Sequence, residues 1–186
     1  MNEMLKQKRM TVDEFISWAM SQPRGRYELL DGEVLMMSPE KARHWRTKAS
    51  VYTALAAAVK RAGLHCEAVP DGGTVRINEQ TAYEPDALIY CGPRLASDAV
   101  MVVDPVLVVE VSSPRTSQID TGAKFAGYFS LPSVRHYLII DAEKRAVIHH
   151  ARGEDGQIVS ASHTEGTLIL DPPGIEVSVV ELLPPE

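Results

Sequence analysis

Glu110 stands in the middle of an apolar run, Pro105-Val-Leu-Val-Val-Glu-Val-Ser112. Valine and leucine at this density predict a strand buried on both faces. An ionised carboxylate buried there without a partner costs on the order of several kcal/mol, so the group must be neutral, paired or holding a cation. A second carboxylate, Asp86, precedes another apolar stretch in Tyr83-Glu-Pro-Asp-Ala-Leu-Ile-Tyr90. Two carboxylates from adjacent strands, with a backbone carbonyl such as that of Val111, would make an open site for a hard divalent cation: Mg²⁺, or Mn²⁺ in its place. Such a cation would polarise a phosphorus centre, lower the pKa of a bound water and stabilise charge on the leaving oxygen. Lys124, one helical segment further on, could orient the nucleophile or neutralise charge developing on a phosphate. Plainer readings stand beside these: Asp86 as a turn or cap residue at a strand start, Lys124 as a solvated helix residue.

Several elements have to position these groups. Thr11-Val-Asp-Glu14 has capping-box spacing ahead of a short helix with Phe15, Trp18 and Ala19 on its apolar stripe. Two apolar runs flank Asp31-Gly32 within residues 26–37, which predicts a hairpin. Ser38-Pro39 opens a long helix running to about Ala62, where Gly63 stops it. Short strands are expected over 64–69, 74–78, 85–90 and 106–112, then a helix over 117–131. Strands follow at 134–141 and 147–151, and an antiparallel tail at 157–162, 167–170 and 175–180. The order predicts one α/β or α+β domain over residues 1–186 with a mixed central sheet flanked by helices; residues 1–10 are a flexible lead. The passage from 106 to 141 is a candidate crossover between parallel strands.

Composition sets wide bounds. The 186 residues are 45% hydrophobic and 24% charged, which suits one compact soluble domain. No apolar run approaches the roughly 20 residues of a membrane span. With no secretory signal and two cysteines, Cys66 and Cys91, lacking metal-ligand spacing, a reducing cytoplasm is the default; a disulfide between them stays open. Net charge is −6, but residues 1–62 carry 11 Lys+Arg against 7 Asp+Glu, and residues 63–186 carry 8 against 18. That polarity is compatible with an acidic site beside a phosphate-binding face. Phosphate-binding glycine loops, nucleophile elbows and zinc spacings are absent, so no organic cofactor is expected.

The chain resembles the nuclease superfamily named for its Pro-Asp…(Asp/Glu)-x-Lys motif, and within it the Uma-two family of restriction-endonuclease-like proteins. The resemblance covers roughly residues 10–182. It rests on Tyr27-Glu-Leu-Leu-Asp-Gly-Glu33, Met37-Ser-Pro39, His44, Pro85-Asp86, Val108-Val-Glu-Val-Ser-Ser-Pro114, Asp120…Lys124…Tyr128 and Tyr137-Leu-Ile-Ile-Asp141. It implies a restriction-endonuclease-like core, with Asp86 and Glu110 as metal ligands. The motif expects lysine two residues beyond the acid, where this chain has Ser112; Lys124 on the following helix is the substitute the resemblance implies. It also implies a further acid from an early strand, matched by Glu28, and a proton-transfer or phosphate-contact role for His44. An exposed strand glutamate and a surface histidine are the ordinary alternatives.

The basic segment Lys41-Ala-Arg-His-Trp-Arg-Thr-Lys48 crowds cations near a helix start, where the macrodipole disfavours them. Lys41, Arg43, Arg46 and Lys48 are therefore candidate phosphate contacts, as is Ser112, with a solvated basic face as the alternative. Trp45 is expected to be packed and Met36-Met37 to fill core; His149, His150 and His163 have no expected role. The leading expectation is a Mg²⁺-dependent DNA endonuclease, as a homodimer if it cuts both strands. A catalytically degenerate nucleic-acid-binding module is the second expectation. The third is a metal-free acid–base hydrolase, on a glycoside for example, using Glu110 and Glu28.

Overall fold

A computed structural model describes residues 9–112 and 120–183. The chain runs α1 (Val12–Ser21), β1 (Tyr27–Leu30), β2 (Glu33–Met36), α2 (Ala42–Arg61), β3 (Glu67–Pro70), β4 (Val75–Asn78), β5 (Thr81–Tyr83) and β6 (Ala87–Tyr90). It continues with β7 (Pro105–Ser112), α3 (Asp120–Ser130), β8 (His136–Asp141), β9 (Ala146–Arg152), β10 (Ile158–His163), β11 (Thr167–Leu170), β12 (Ile175–Ser178) and α4 (Val179–Leu182). A six-stranded sheet ordered β10-β9-β8-β7-β6-β3 forms the centre, and only β7 and β8 within it are parallel. The expected crossover and mixed sheet are both present. Beside it stand a four-stranded sheet, β2-β1-β5-β4, and the β11–β12 hairpin.

Local chemistry accounts for the boundaries. Thr11 and Glu14 cap each other's backbone at the start of α1, as their spacing predicts. Asp31 and Gly32 turn the β1–β2 hairpin with φ of 49° and 80°, the left-handed pair that a two-residue loop requires. Alternation along β7 directs Leu107, Val109 and Val111 toward Val51 and Leu55 of α2, and Val108 toward Tyr128 and Phe129 of α3. The central sheet is thus covered by α2 on one face and α3 on the other. Val12 and Phe15 of α1 pack on Leu29 and Ala82 of the smaller sheet.

Several expectations need correction. The strand expected over 85–90 is β6, which starts at Ala87 beyond Pro85; β5, just before that proline, was not expected and joins the small sheet rather than the large one. Helix α2 begins at Ala42 rather than at Pro39, with Lys41 as its N-cap; Glu40 is instead drawn back onto Lys48 and His44. The strand expected over 175–180 stops at Ser178 and becomes α4. Met36 is 71% exposed on the edge strand β2 and Trp45 is 51% exposed, so neither fills core. Cys66 and Cys91 form a disulfide, joining the chain just before β3 to the chain just after β6. Residues 117–119, at the start of the helix expected over 117–131, lie outside the described residues.

Candidate active site

Strand alternation decides which way each acid points. Glu110 shares a face with Val108 and so meets α3; Glu28 faces away from Leu29 and α1, toward the same helix. Lys124 stands between them, with Nζ 2.9 Å from Oε1 of Glu28 and 2.9 Å from Oε1 of Glu110. Tyr128, one helical turn further along α3, donates its hydroxyl to the same Glu110 oxygen at 2.7 Å. Glu28 Oε1 also accepts the backbone N–H of Glu84 at 2.9 Å, which ties the segment just ahead of Pro85 to β1. Lys124 and Glu28 are both buried, and the Glu110 side chain is 14% exposed.

Asp86 lies at the adjoining end of β6. Its Oδ2 accepts the Val111 N–H at 2.6 Å, and its own N–H goes to the Val109 carbonyl, so it is stitched to β7 beside Glu110. Oδ1 lies 2.6 Å from Nζ of Lys48, which reaches in from α2. Lys48 also contacts Asp71 at 3.0 Å and closes on Glu40. Ligand atoms of Glu40, Asp71 and Asp86 all lie within 4.8 Å of one another, the acidic group with metal-holding geometry among the described residues. Arg26 completes this layer, with contacts to Asp71, to Glu84 at 2.7 Å and to Glu40 at 3.4 Å. His44 Nε2 sits 2.7 Å from the Val111 carbonyl, and its Nδ1 lies 3.2 Å from Glu40.

The electrostatics follow from burial and count. Six carboxylates (Glu28, Glu40, Asp71, Glu84, Asp86 and Glu110) face three permanent cations (Arg26, Lys48 and Lys124), a formal −3 with His44 neutral. Burial pushes the Glu110 carboxyl up to about 7; Lys124 opposes the shift, and the charges of Asp86 and Glu28 add to it. Burial likewise raises Glu84, while Arg26 opposes. Glu40 is lowered, because Lys48 outweighs its desolvation. For Lys48 and Lys124 burial acts downward, but the surrounding carboxylates prevail and hold both ammoniums charged. Buried anions in excess of cations, one of them lifted toward neutrality for want of compensation, form a donor set that suits a hard divalent cation. The Val111 carbonyl, which accepts from His44, keeps one lone pair for the same purpose.

The residues expected from sequence fall into two groups. Glu28, His44, Asp86, Glu110, Val111 and Lys124 converge on one end of β7. Lys48 converges too, but as a buried partner of carboxylates rather than on an outer basic face. Lys41, Arg43 and Arg46 are exposed; Arg43 pairs with Glu143 at 3.1 Å and Arg46 lies over the Trp45 ring. Ser112 donates weakly to the Ile140 carbonyl at 3.4 Å. Sequence reasoning passed over Arg26, Glu40, Asp71 and Glu84, and gave Tyr128 no role beyond its place in the motif. The four-residue spacing of Lys124 and Tyr128 was a usable signal for the last of these.

Residues 12–183 match the family model described as "Uma2: Putative restriction endonuclease". The uncharacterized protein slr1290 of Synechocystis sp. is 28% identical over 158 residues, spanning 80% of this chain and 77% of that protein. A crystal structure described as a putative nuclease belonging to DUF820, from Anabaena variabilis, has a TM-score of 0.73 at 14% identity and covers 93% of this chain and 97% of its own. At that identity the likeness is one of fold.

Proposed function

Because the chain belongs to the Uma2 family, we propose that it is a metal-dependent endonuclease that hydrolyses phosphodiester bonds in DNA. The observation that carries this reading is the excess of buried carboxylate around Glu110 and Asp86, with Lys124 fixed among it. Asp86, Glu110 and the Val111 carbonyl are the residues that would hold Mg²⁺ or Mn²⁺. When bound, the cation supplies Lewis acidity toward a phosphate oxygen and lowers the pKa of an attacking water.

The remaining work belongs to the protein's own groups. Lys124 is held by two carboxylates at equal distance, so its ammonium is aimed rather than solvated. Its charge would offset the negative charge that grows on the phosphate oxygens, and its N–H bonds would orient the nucleophile. Tyr128 and Lys124 both engage Oε1 of Glu110, which selects one rotamer and turns Oε2 outward from that pair. His44 donates from Nε2 to the Val111 carbonyl at 2.7 Å and so orients that oxygen beside the site. Lys41 and Arg46, exposed near the start of α2, are proposed contacts to the DNA backbone.

Glu110→Gln tests the reading, because it keeps shape and hydrogen bonding while removing the charge. Wild-type protein should bind Mn²⁺ in calorimetry and nick supercoiled plasmid, and the variant should lose both while melting cooperatively. Cleavage by pure Glu110→Gln protein would overturn the assignment. One observation favours a second reading, a binding module with a silent site: Ser112 stands where the motif has lysine, and Lys48 already satisfies Asp86. Plasmid binding that is indifferent to Mn²⁺, without nicking, would select it.

A further inference from the structure

The proposed reaction leaves Lys48 and the acids around it without a part. The Lys48 ammonium lies where three chain segments meet: Glu40 ahead of α2, Asp71 beyond β3 and Asp86 ahead of β6. It closes on Glu40 Oε1 and stands 3.0 Å from Asp71 Oδ2 and 2.6 Å from Asp86 Oδ1. The side chain is 6% exposed, so these carboxylates replace its water shell.

An ammonium has three N–H donors, and here each meets its own carboxylate. Lys124 differs: it engages two carboxylates, Glu28 and Glu110, and keeps a donor for chemistry. The acids around Lys48 are also fixed from behind. Glu40 Oε2 lies 3.2 Å from His44 Nδ1, Asp71 Oδ1 pairs with Arg26, and Asp86 Oδ2 accepts the Val111 N–H at 2.6 Å. Each acid therefore turns its other oxygen to one common point, and ligand atoms of the three lie within 4.8 Å of one another. Converging carboxylate oxygens are the donor set of a hard divalent cation. Nζ of Lys48 fills that point, with three anions on one ammonium where an ion pair would need one.

We propose that Lys48 is a built-in cation standing where a second divalent ion would bind, so that the acidic centre takes one metal ion rather than two. Two-metal phosphodiester sites hold their ions about 3.5–4 Å apart, one serving the attacking and one the leaving oxygen. Lys48 shares Asp86 with the ion proposed above. Each Asp86 oxygen carries two lone pairs, so accepting from Lys48 and from Val111 leaves room for that ion. The ammonium supplies fixed positive charge but no coordination position, and it acts through Asp86 by holding that carboxylate in place. Lys48 is thus a positioning residue, and the role rests on the nuclease reading for the first ion.

The test counts Mn²⁺ ions on the full chain, by calorimetry and by the magnetic coupling that neighbouring Mn²⁺ ions show in electron paramagnetic resonance. Wild type should take one equivalent and show no coupling. Lys48→Met, which keeps the length and removes the charge, should take two and show coupling. Adding Asp71→Asn to it should weaken the second ion at least tenfold, whereas Asp71→Asn alone should leave the single equivalent within about fivefold in affinity. Two equivalents in the wild type overturn the proposal, as does one equivalent in Lys48→Met protein that melts cooperatively. If Lys48→Met does not fold, Asp71→Asn alone decides: loss of the equivalent means that Asp71 serves the ion rather than Lys48, and the proposal falls. A wild type that binds none removes the nuclease reading, and Lys48 then keeps its role only if Lys48→Met gains an ion.

Discussion

Glu110 shows how one buried charge sets both chemistry and stability. Its carboxyl, at about 7 in the fold against an ordinary 4.5, takes up a proton more readily folded than unfolded. The resulting contribution favours the folded state fully below about pH 4.5 and is lost as pH rises through about 7, an effect on the order of 3 kcal/mol. Metal-free Glu110→Gln should therefore melt several degrees above wild type at pH 8 and gain nothing at pH 5. Equal melting differences at the two pH values would refute the account. Tyr128→Phe acts on the same carboxyl in the opposite sense. It removes a hydrogen bond that lowers the Glu110 pKa, worth about 1 kcal/mol, so the acidic limb of the cleavage profile should move up by roughly one pH unit. An unmoved limb would mean that Glu110 is not the group being titrated.

Helix α3 carries both partners of Glu110, so its distance from the sheets is functional. Gly127 makes that approach close: a Cβ there would stand 2.7 Å from the Tyr83 ring. The ring cannot yield readily, because Tyr83 is buried and packs edge-on against Tyr128 with centroids 5.4 Å apart. Gly127→Ala should push α3 outward, cost about 1–3 kcal/mol by overpacking and reduce cleavage at least tenfold. Gly122, in the same helix, has nothing within 4 Å of its Cβ position. Gly122→Ala should raise stability by about 0.5–1 kcal/mol with activity unchanged. Circular dichroism melts and plasmid nicking by the two variants separate a spacing effect from a general effect of glycine.

At the scale of the whole molecule, the charge polarity read along the chain is largely absorbed inward. Arg26 and Lys48, both from the basic N-terminal third, are spent on acids of the site, which leaves Lys41, Arg43 and Arg46 as the outer cations of α2's first turns. No helix among the described residues is long and apolar enough to cross a membrane. The Cys66–Cys91 link closes a 25-residue separation at the end of β6 remote from Asp86. Loop closure of that size is worth about 3 kcal/mol. Cys66→Ser with Cys91→Ser should lower the melting temperature by several degrees while Mn²⁺ affinity stays within about twofold. A large loss of affinity would mean that the far end of the sheet governs the site.

Much of this was legible before any fold was drawn. Glu110 announced itself because a carboxylate in a valine-rich strand demands a partner, and Asp31-Gly32 and Thr11…Glu14 specify their turn and cap by local stereochemistry alone. The α3 crossover was readable from the length of chain between two apolar runs. What the chain could not declare by itself was which cation meets which acid. Lys48 read as a surface residue because helix spacing does not reveal that its face turns toward Asp86, and Arg26 meets Asp71 across 45 residues and Glu84 across 58. Short-range geometry is written in neighbouring residues; charge compensation across 50 or 100 residues is decided by packing.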